Sequence, residues 1–120
     1  MVAGKVVCLR RLAKGVRARE VQFNRFLGNA RVTTAKVIES WSGRIKQRTA
    51  LSPLIFAGYS DIGPLNQWVH VWAYKNMGER ETKRAQAMKP GQWPPPRHES
   101  VVLHKQTSTF AIPAKWSPLR

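Results

Sequence analysis

The residues best suited to chemistry lie on one segment of the chain, between positions 63 and 75, which reads GPLNQWVHVWAYK. The even-numbered positions from 66 to 74 carry Asn66, Trp68, His70, Trp72 and Tyr74. Trp N–H, Tyr O–H and His ring nitrogens all require hydrogen-bond partners when they are buried. This strip is therefore the candidate ligand-binding site. His70 is its candidate catalytic residue, because histidine has an ordinary pKa that suits proton transfer near neutral pH.

The two faces of this strand differ in kind. The odd-numbered positions carry Val69, Val71 and Ala73, which are compact and aliphatic. We expect them to pack beneath helices, so that the aromatic strip faces a second sheet or a cavity between sheets. Such a strip fills a subunit interface or lines a ligand cavity, and the sequence leaves both readings open. No cofactor or metal is predicted. A second histidine, His104, would make a metal or haem ligand set conceivable only if it shared a cavity with His70.

Other candidate groups lie outside this strand. Arg80 and Arg84 are one helical turn apart and could bind an anion, although a solvated helix face paired with Glu81 explains them better. Asn66 could hydrogen-bond its own turn instead of a ligand, as Asn side chains commonly do. The Trp-Pro-Pro-Pro run at 93–96 predicts an extended loop, which serves either as an interaction loop or as a lid.

Local signals predict the order strand, helix, strand, strand, helix, strand. The first helix begins at Thr33 or Thr34 as N-cap, is weakened by Gly43 and ends at Ser52-Pro53. The second begins at Asn76 with Glu79 in a capping box. The strands are predicted at 20–27, 54–60, 63–75 and 100–113. This is the ferredoxin-like βαββαβ order, an α+β fold with a four-stranded antiparallel sheet and two helices on one face.

Composition limits the function further. The chain has 120 residues, a formal net charge of +15 and a single cysteine, Cys8, which excludes a disulfide framework. Only six residues are acidic, which argues against a two-carboxylate enzyme, and no run is long enough to span a bilayer. Residues 1–19 form a basic, acid-free arm with the pattern of a mitochondrial targeting segment, and residues 20–120 form the folded domain. The charge also keeps RNA binding open, but the sequence has no Lys/Arg-Gly-Phe-type RNA motif, which argues against a nucleic-acid partner.

Four segments resemble the NIPSNAP family. They are RTALSPL at 48–54, GYSDIGPLNQWVHVWAYKNMGER at 58–80, WPPP at 93–96 and IPAKWSPL at 112–119. They follow one order, and the resemblance covers about residues 32–120. It implies a dimeric α/β barrel, in which two copies pair as a homodimer through their open sheet faces. It does not imply a settled activity, although animal members are mitochondrial and are linked to mitophagy and vesicle-related roles.

Three functions follow from the sequence and the resemblance together. The first is a dimeric NIPSNAP-domain protein that acts as an adaptor or binds a small ligand, in mitochondria or in a bacterial cytoplasm. The second is a small cofactor-independent oxygenase or isomerase that uses the barrel cavity, an analogy at the level of the fold. The third is a basic RNA-binding protein whose sheet stacks bases. No enzyme class is assigned.

Overall fold

The fold was obtained as a computed structural model, which describes residues 20–28, 30–63, 66–89, 91, 93–96 and 103–119. The basic arm at 1–19 and the first residues of the predicted last strand, 100–102, lie outside the described residues. The elements in chain order are β1 (Glu20–Gly28), α1 (Ala30–Ser42), α2 (Ile45–Leu51), β2 (Leu54–Tyr59), β3 (Gln67–Tyr74), α3 (Met77–Ala87) and β4 (Leu103–Ala111). In this part of the chain, no helix is both long and apolar enough to span a membrane.

The strands form one antiparallel sheet in the order β2-β3-β1-β4 within the described residues. β1 lies in the middle and pairs Asn24 with His70 of β3 on one side and with Ser108 of β4 on the other. This register places the even-numbered residues of all three strands on the same face, because side chains alternate along each strand. The α+β class and the antiparallel pairing of β2 with β3 are confirmed.

The first predicted helix is two helices. Gly43 and Arg44 form a turn between α1 and α2, in which the Arg44 N–H donates to the carbonyl of Trp41 at 2.9 Å. Glycine is a poor helix former, and here it ends the helix where the sequence predicted only weakening. The N-cap prediction at Thr33 or Thr34 is wrong, because α1 begins at Ala30. A hydroxyl cap contributes only about 1 kcal/mol, so it does not outweigh the backbone hydrogen bonds of an extra turn.

The cap of α3 is confirmed. Asn76 Oδ1 accepts the Glu79 N–H at 2.8 Å, and Glu79 Oε2 accepts the backbone N–H of Lys75 at 2.6 Å. These bonds fix where α3 begins immediately after β3. Arg80 and Arg84 consequently extend from its first and second turns towards the sheet and the cavity described below.

The predicted assignment of the two β3 faces is wrong. The helices cover the even-numbered face, where the ring of Trp41 from α1 lies 5.3 Å from Trp68 and 4.8 Å from His70 between ring centroids. Arg48 of α2 reaches Tyr74 on the same face. The polar atoms of this strip need donors and acceptors that helices can supply, whereas aliphatic residues need only apolar neighbours.

The opposite face of the sheet carries no helix in the described part of the chain. It is aliphatic along β3, at Val69, Val71 and Ala73, and carries Thr107 and Thr109 along β4. Ile55 and Ala73 form its buried core, with Val71 and Leu119 packed against them. Ile55 lies at the register shift between Leu54 and Phe56, where one residue of β2 is accommodated without a partner in β3. The C-terminal segment therefore covers part of this face, and the remainder is open.

Candidate functional site

A cavity of about 790 Å³ lies between the even-numbered face of the sheet and the helices. Its floor is formed by β1, β3 and β4, its sides by all three helices and its outer edge by the loop at 93–96. The volume falls within the range of about 300–1,000 Å³ that is usual for small-molecule sites. The sheet therefore has a cavity on the helix side, where the sequence had placed the core.

A row of hydrogen bonds crosses the floor of this cavity. Arg80 Nε–H donates to Gln22 Oε1 at 2.9 Å, and Gln22 Nε2–H donates to Asn24 Oδ1 at 2.9 Å. The Ser108 hydroxyl donates to the same Asn24 oxygen at 2.7 Å. The amide nitrogen of Asn24 lies 3.4 Å from Nδ1 of His70. Gln22, Asn24 and His70 are all buried, so the row connects a helix cation to the histidine through the interior.

His70 is held as a neutral imidazole. Burial, and then the charge of Arg48, lower the pKa of His70 from 6.5 to about 3. The indole N–H of Trp72 donates to its Nδ1 at 2.7 Å, so two donors approach the same ring nitrogen. His70 is therefore uncharged at physiological pH, and it does not act there as a cation for an anionic ligand.

Arg48 supplies the buried charge of the site. Only 5% of its surface is exposed. Its Nη2–H donates to the Tyr74 hydroxyl at 2.9 Å, and its Cζ atom lies 4.2 Å from the ring centroid of Trp72. Among the described residues, Nη1 has no hydrogen-bond partner and no carboxylate lies within 4.0 Å of the guanidinium. A buried guanidinium is thus held by an aromatic face and a hydroxyl, with no counter-charge from the described chain.

Three tryptophans form the apolar wall. Trp93 lies edge-on to Trp41 at 4.7 Å and to Trp72 at 6.3 Å between ring centroids. Aromatic pairs favour this perpendicular geometry, because the positive edge of one ring meets the negative face of the other. The three rings enclose one side of the cavity and present flat surfaces to whatever occupies it.

The loop at 93–96 lies along the outer edge of the cavity. The Ser40 hydroxyl donates to the carbonyl of Pro96 at 3.2 Å, and the Arg44 guanidinium donates to the carbonyl of Gly91. Pro95 is buried, and Trp93 is half-buried. Both bonds originate on α1 or on the turn that follows it, so α1 and the loop are tied together.

The predicted site residues do not all line the same cavity. His70, Trp72 and Tyr74 line the cavity, whereas Trp68 is buried against Trp41 and does not line it. Asn66 lies in the turn before β3 with a φ of 59°, beside a smaller pocket on the other side of α1. The left-handed backbone at Asn66 is one that Asn tolerates better than most residues, which supports a turn role.

Sequence reasoning missed four of the residues that shape the site: Gln22, Asn24, Arg48 and Ser108. Gln22 and Asn24 lie in EVQFNRFL, where polar and apolar residues alternate. The sequence does not show which residues of the strand that carries His70 pair with them, so it did not connect them to His70. Arg48 opens the RTALSPL segment, and nothing in the sequence shows that its guanidinium is buried. Arg80 and Arg84, which were candidates, both line the cavity.

Histidine clustering is not seen. His104 is exposed and does not line the cavity, so the condition set for a shared histidine site is not met. Within the described residues, no group of three His, Cys, Asp or Glu side chains could hold a metal ion. The cavity instead presents N–H and O–H donors from Arg48, Tyr74 and Arg80, and its described lining contains no carboxylate.

Comparison with known proteins identifies the family. The NIPSNAP family model matches residues 30–118. Protein NipSnap homolog 1 of Danio rerio is 31% identical over 81 residues, which cover 67% of this chain and 29% of that protein. The chain therefore spans less than a third of the length of this curated relative.

Solved structures show the same fold. An uncharacterized NIPSNAP-like domain protein from Burkholderia xenovorans superposes with a TM-score of 0.69 at 25% identity, covering 85% of this chain and 91% of that chain. A NIPSNAP family protein with unknown function from Agrobacterium tumefaciens superposes with a TM-score of 0.68 at 23% identity, covering 87% and 96%. With the family model matched over most of its length, this chain belongs to the NIPSNAP family.

Proposed function

We propose that this NIPSNAP protein binds a small organic acid in the cavity between its sheet and its helices, with the carboxylate on Arg48 and the planar or aromatic body among the tryptophans. The buried charge of Arg48 is the main support for this proposal. Removing a guanidinium from water without a counter-charge costs several kcal/mol, and proteins rarely retain such a charge without a use for it. A bound carboxylate would supply the counter-charge.

The rest of the cavity has the same electrostatic character. Arg80 and Arg84 line it from α3, and the described lining residues include no Asp or Glu. Arg80 is partly neutralised by Glu81, which lies outside the cavity lining. A cleft lined by one sign of charge attracts ligands of the other sign and excludes cations. The site therefore favours an anion over a neutral or cationic ligand.

The walls of the cavity determine the shape of the ligand that would fit. Trp41, Trp72 and Trp93 offer rings at angles to one another, which suits a flat or aromatic group of moderate size. The cavity volume of about 790 Å³ is large enough for such a group together with its acidic end. An aromatic carboxylic acid combines the two features.

A charge-matched pair of probes tests this function. We expect the full-length protein to bind 3-phenylpropionate in calorimetric titrations at least tenfold more tightly than 3-phenylpropanamide, which has the same shape without the charge. A buried charge-assisted hydrogen bond contributes about 1.5–3 kcal/mol, and about 1.4 kcal/mol is tenfold in affinity. Equal affinities, or no binding of either compound, would contradict the proposal.

We also propose that two copies pair through their open sheet faces to form a dimeric α/β barrel. The family resemblance implies this assembly, and exposed apolar patches on a folded protein commonly mark interfaces. Phe56 is 42% exposed on this face and lies opposite Val71 in the β2–β3 register. Under this proposal the ligand cavity belongs to each protomer separately, because it lies on the helix side.

The dimer is tested with Phe56→Lys. We expect wild-type protein to sediment as a dimer at about 10 μM and the variant to sediment as a folded monomer, since a like charge on both copies is buried when they meet. Thr82→Lys, on the exposed surface of α3, adds the same charge elsewhere and should leave the dimer intact. Circular dichroism confirms that each variant is folded. A monomeric wild-type protein would contradict the proposal.

The remaining sequence hypotheses stay predictions. An oxygenase or isomerase would use the same cavity, and an adaptor would use the protein surface. RNA stacking needs exposed aromatic rings on the sheet, whereas Trp68, Trp72 and Tyr74 are buried beneath the helices and cannot stack bases. Mitochondrial import rests on residues 1–19 and stays a prediction of their composition.

A further inference from the structure

We infer that the ligand of this cavity carries a second acidic group, which binds at the mouth of the cavity to Arg84 with Arg80 beside it. The ligand class is then that of dicarboxylic acids whose two carboxylates lie at opposite ends of a flat body. This inference rests on the function proposed above, because it takes the first carboxylate to lie on Arg48. It concerns a different part of the cavity, so it can fail while the proposed function stands.

The cavity opens to solvent beside β4, which lies at one edge of the sheet. Gln106 and Ser108 of β4 line the cavity and are exposed, and so is Arg84 of α3. Arg48, by contrast, is buried. The cavity therefore has a buried cationic end and a hydrated cationic end. A carboxylate at the hydrated end keeps part of its water shell, so its binding there requires less desolvation than at the buried end.

The strand register shows how far apart the two ends lie. Gln22 of β1 pairs with Trp72 of β3 on one side and with Phe110 of β4 on the other. Arg48 Cζ lies 4.2 Å from the ring centroid of Trp72. Arg80 Cζ lies 5.0 Å from the ring centroid of Phe110. Trp72 and Phe110 are two strand spacings apart, which is about 10 Å. An aromatic ring with an acidic group at each end can bridge cations placed along such a row.

Arg80 is held in place by the protein, whereas Arg84 is not. The Nε–H of Arg80 donates to Gln22 Oε1 at 2.9 Å, and its Nη1 forms an ion pair with Glu81. Arg84 forms no ion pair with any residue that the structure describes. Because Arg84 follows Arg80 by four residues, the two side chains are neighbours on one face of α3. Arg84 therefore supplies the charge that is available to a ligand, with Arg80 fixed next to it.

The charges around the cavity do not balance. Three guanidiniums line it, those of Arg48, Arg80 and Arg84, and Glu81 pairs with one of them from outside the lining. Within the described residues, the other two have no carboxylate within 4.0 Å. Like charges four residues apart on a helix also repel each other, which destabilises α3 unless an anion lies between them. A ligand with one acidic group neutralises one of the two remaining charges, and a ligand with two acidic groups neutralises both.

Two matched pairs of aromatic acids test the second acidic group. The para and meta isomers of 3-(carboxyphenyl)propionate each carry a second carboxylate, and the corresponding 3-(carbamoylphenyl)propionates have the same shape with a neutral amide in its place. We expect the full-length protein, in calorimetric titrations at neutral pH, to bind the diacid of at least one pair about fivefold more tightly than its amide. This preference lies between the effects of an exposed ion pair and of a buried charge-assisted hydrogen bond, because Arg84 is exposed.

Arg84→Gln identifies the source of the preference. It removes the charge and keeps a polar side chain at an exposed position, and circular dichroism checks that the variant is folded. We expect its preference for the diacid to fall below about twofold, whatever its absolute affinities. Lys83→Gln is the matched control, because it removes the same charge from the adjacent position of α3 and Lys83 does not line the cavity. It should keep the wild-type preference.

The outcomes separate this inference from the proposed function. Equal binding within both pairs, while 3-phenylpropionate still binds more tightly than 3-phenylpropanamide, overturns the second acidic group and leaves the proposed function standing. A preference that Arg84→Gln retains, or that Lys83→Gln also loses, overturns the assignment to Arg84. Failure of all the acids to bind, 3-phenylpropionate included, overturns the proposed function and this inference together.

Discussion

Replacing Arg48 with methionine is expected to raise the free energy of unfolding by about 1–3 kcal/mol while abolishing the binding of 3-phenylpropionate. Buried ion pairs are often replaced as a whole by apolar residues of similar volume with a gain in stability, because the desolvation cost disappears, and the same reasoning applies to a buried charge that has no paired charge. Arg48 is 5% exposed and is not paired with any carboxylate in the described chain, so its desolvation is not offset by a counter-charge. A gain in stability together with a loss of binding would mark a residue retained for function.

The expected gain in the free energy of unfolding is the difference between two opposing effects of the Arg48→Met substitution. Methionine loses the 2.9 Å hydrogen bond to Tyr74 and the contact between the cation and the Trp72 ring. These contribute about 1.5–3 kcal/mol and about 0.5–2 kcal/mol respectively. Taking a guanidinium out of water costs several kcal/mol or more, and methionine fits an irregular apolar space next to aromatic rings. The desolvation effect is the larger one.

The measurement is urea unfolding of full-length wild-type and variant protein without ligand, combined with calorimetric titration. Lys46→Met is the matched control, because Lys46 lies on the same helix and is exposed. Lys46→Met should change neither the free energy of unfolding nor the affinity for 3-phenylpropionate by much. Arg48→Lys keeps the charge but loses the planar fork, so we expect it to bind the acid about tenfold more weakly than wild type. A loss of more than about 2 kcal/mol in Arg48→Met would instead show that Arg48 is structural.

The contrast between Arg48 and the β3 strip shows what the sequence could predict. The strand, its alternation and its turn were readable because side chains alternate with a period of two and because Asn76 and Glu79 have a local capping geometry. The face of the sheet that the helices cover was not readable in this way. It depends on which groups on α1 and α2 meet the strand, and local signals do not contain that pairing.

The sequence predicted only part of the candidate site. His70, Trp72 and Tyr74 follow from one strand, but their partners Asn24 and Arg48 come from elements 46 and 22 residues before His70 in the chain. Those partners decide the chemistry, since they make His70 a neutral acceptor at Nδ1 and place the cation beside it. A polar residue at Asn24 and a basic one at Arg48 look like ordinary surface residues until the register and the burial are known.

The second large effect is expected in acid, where His70 should make the protein unstable. The folded-state pKa of His70 is about 3 and its unfolded value is 6.5. Between these two pH values the unfolded chain therefore binds a proton at His70 that the folded protein does not bind. Stability rises with pH wherever the unfolded state binds more protons. The contribution is therefore fully present above about pH 6.5 and is lost progressively as the pH falls towards 3.

The magnitude follows from about 1.4 kcal/mol per pH unit for one proton. Between pH 7.5 and pH 5, the loss should be about 2 kcal/mol, and over the whole window it should be on the order of 4 kcal/mol. Domains of this size have about 5–15 kcal/mol in total, so one histidine would remove a large fraction of it. With only six acidic residues in the chain, few carboxylates compete with this effect.

Urea unfolding at a series of pH values from 7.5 to 5 provides the measurement, and two variants identify the source of the slope. His70→Gln keeps a polar side chain but cannot be protonated in this range, so its stability should vary much less with pH, whatever its absolute value. His104→Gln removes an exposed histidine and should retain the wild-type slope. A flat wild-type profile would mean that the folded protein accommodates the His70 proton. An unchanged slope in His70→Gln would place the acid sensitivity at another group. A slope that His70→Gln removes and His104→Gln keeps would show that the neutral state of His70 is built into the fold, because no ligand is present in these measurements.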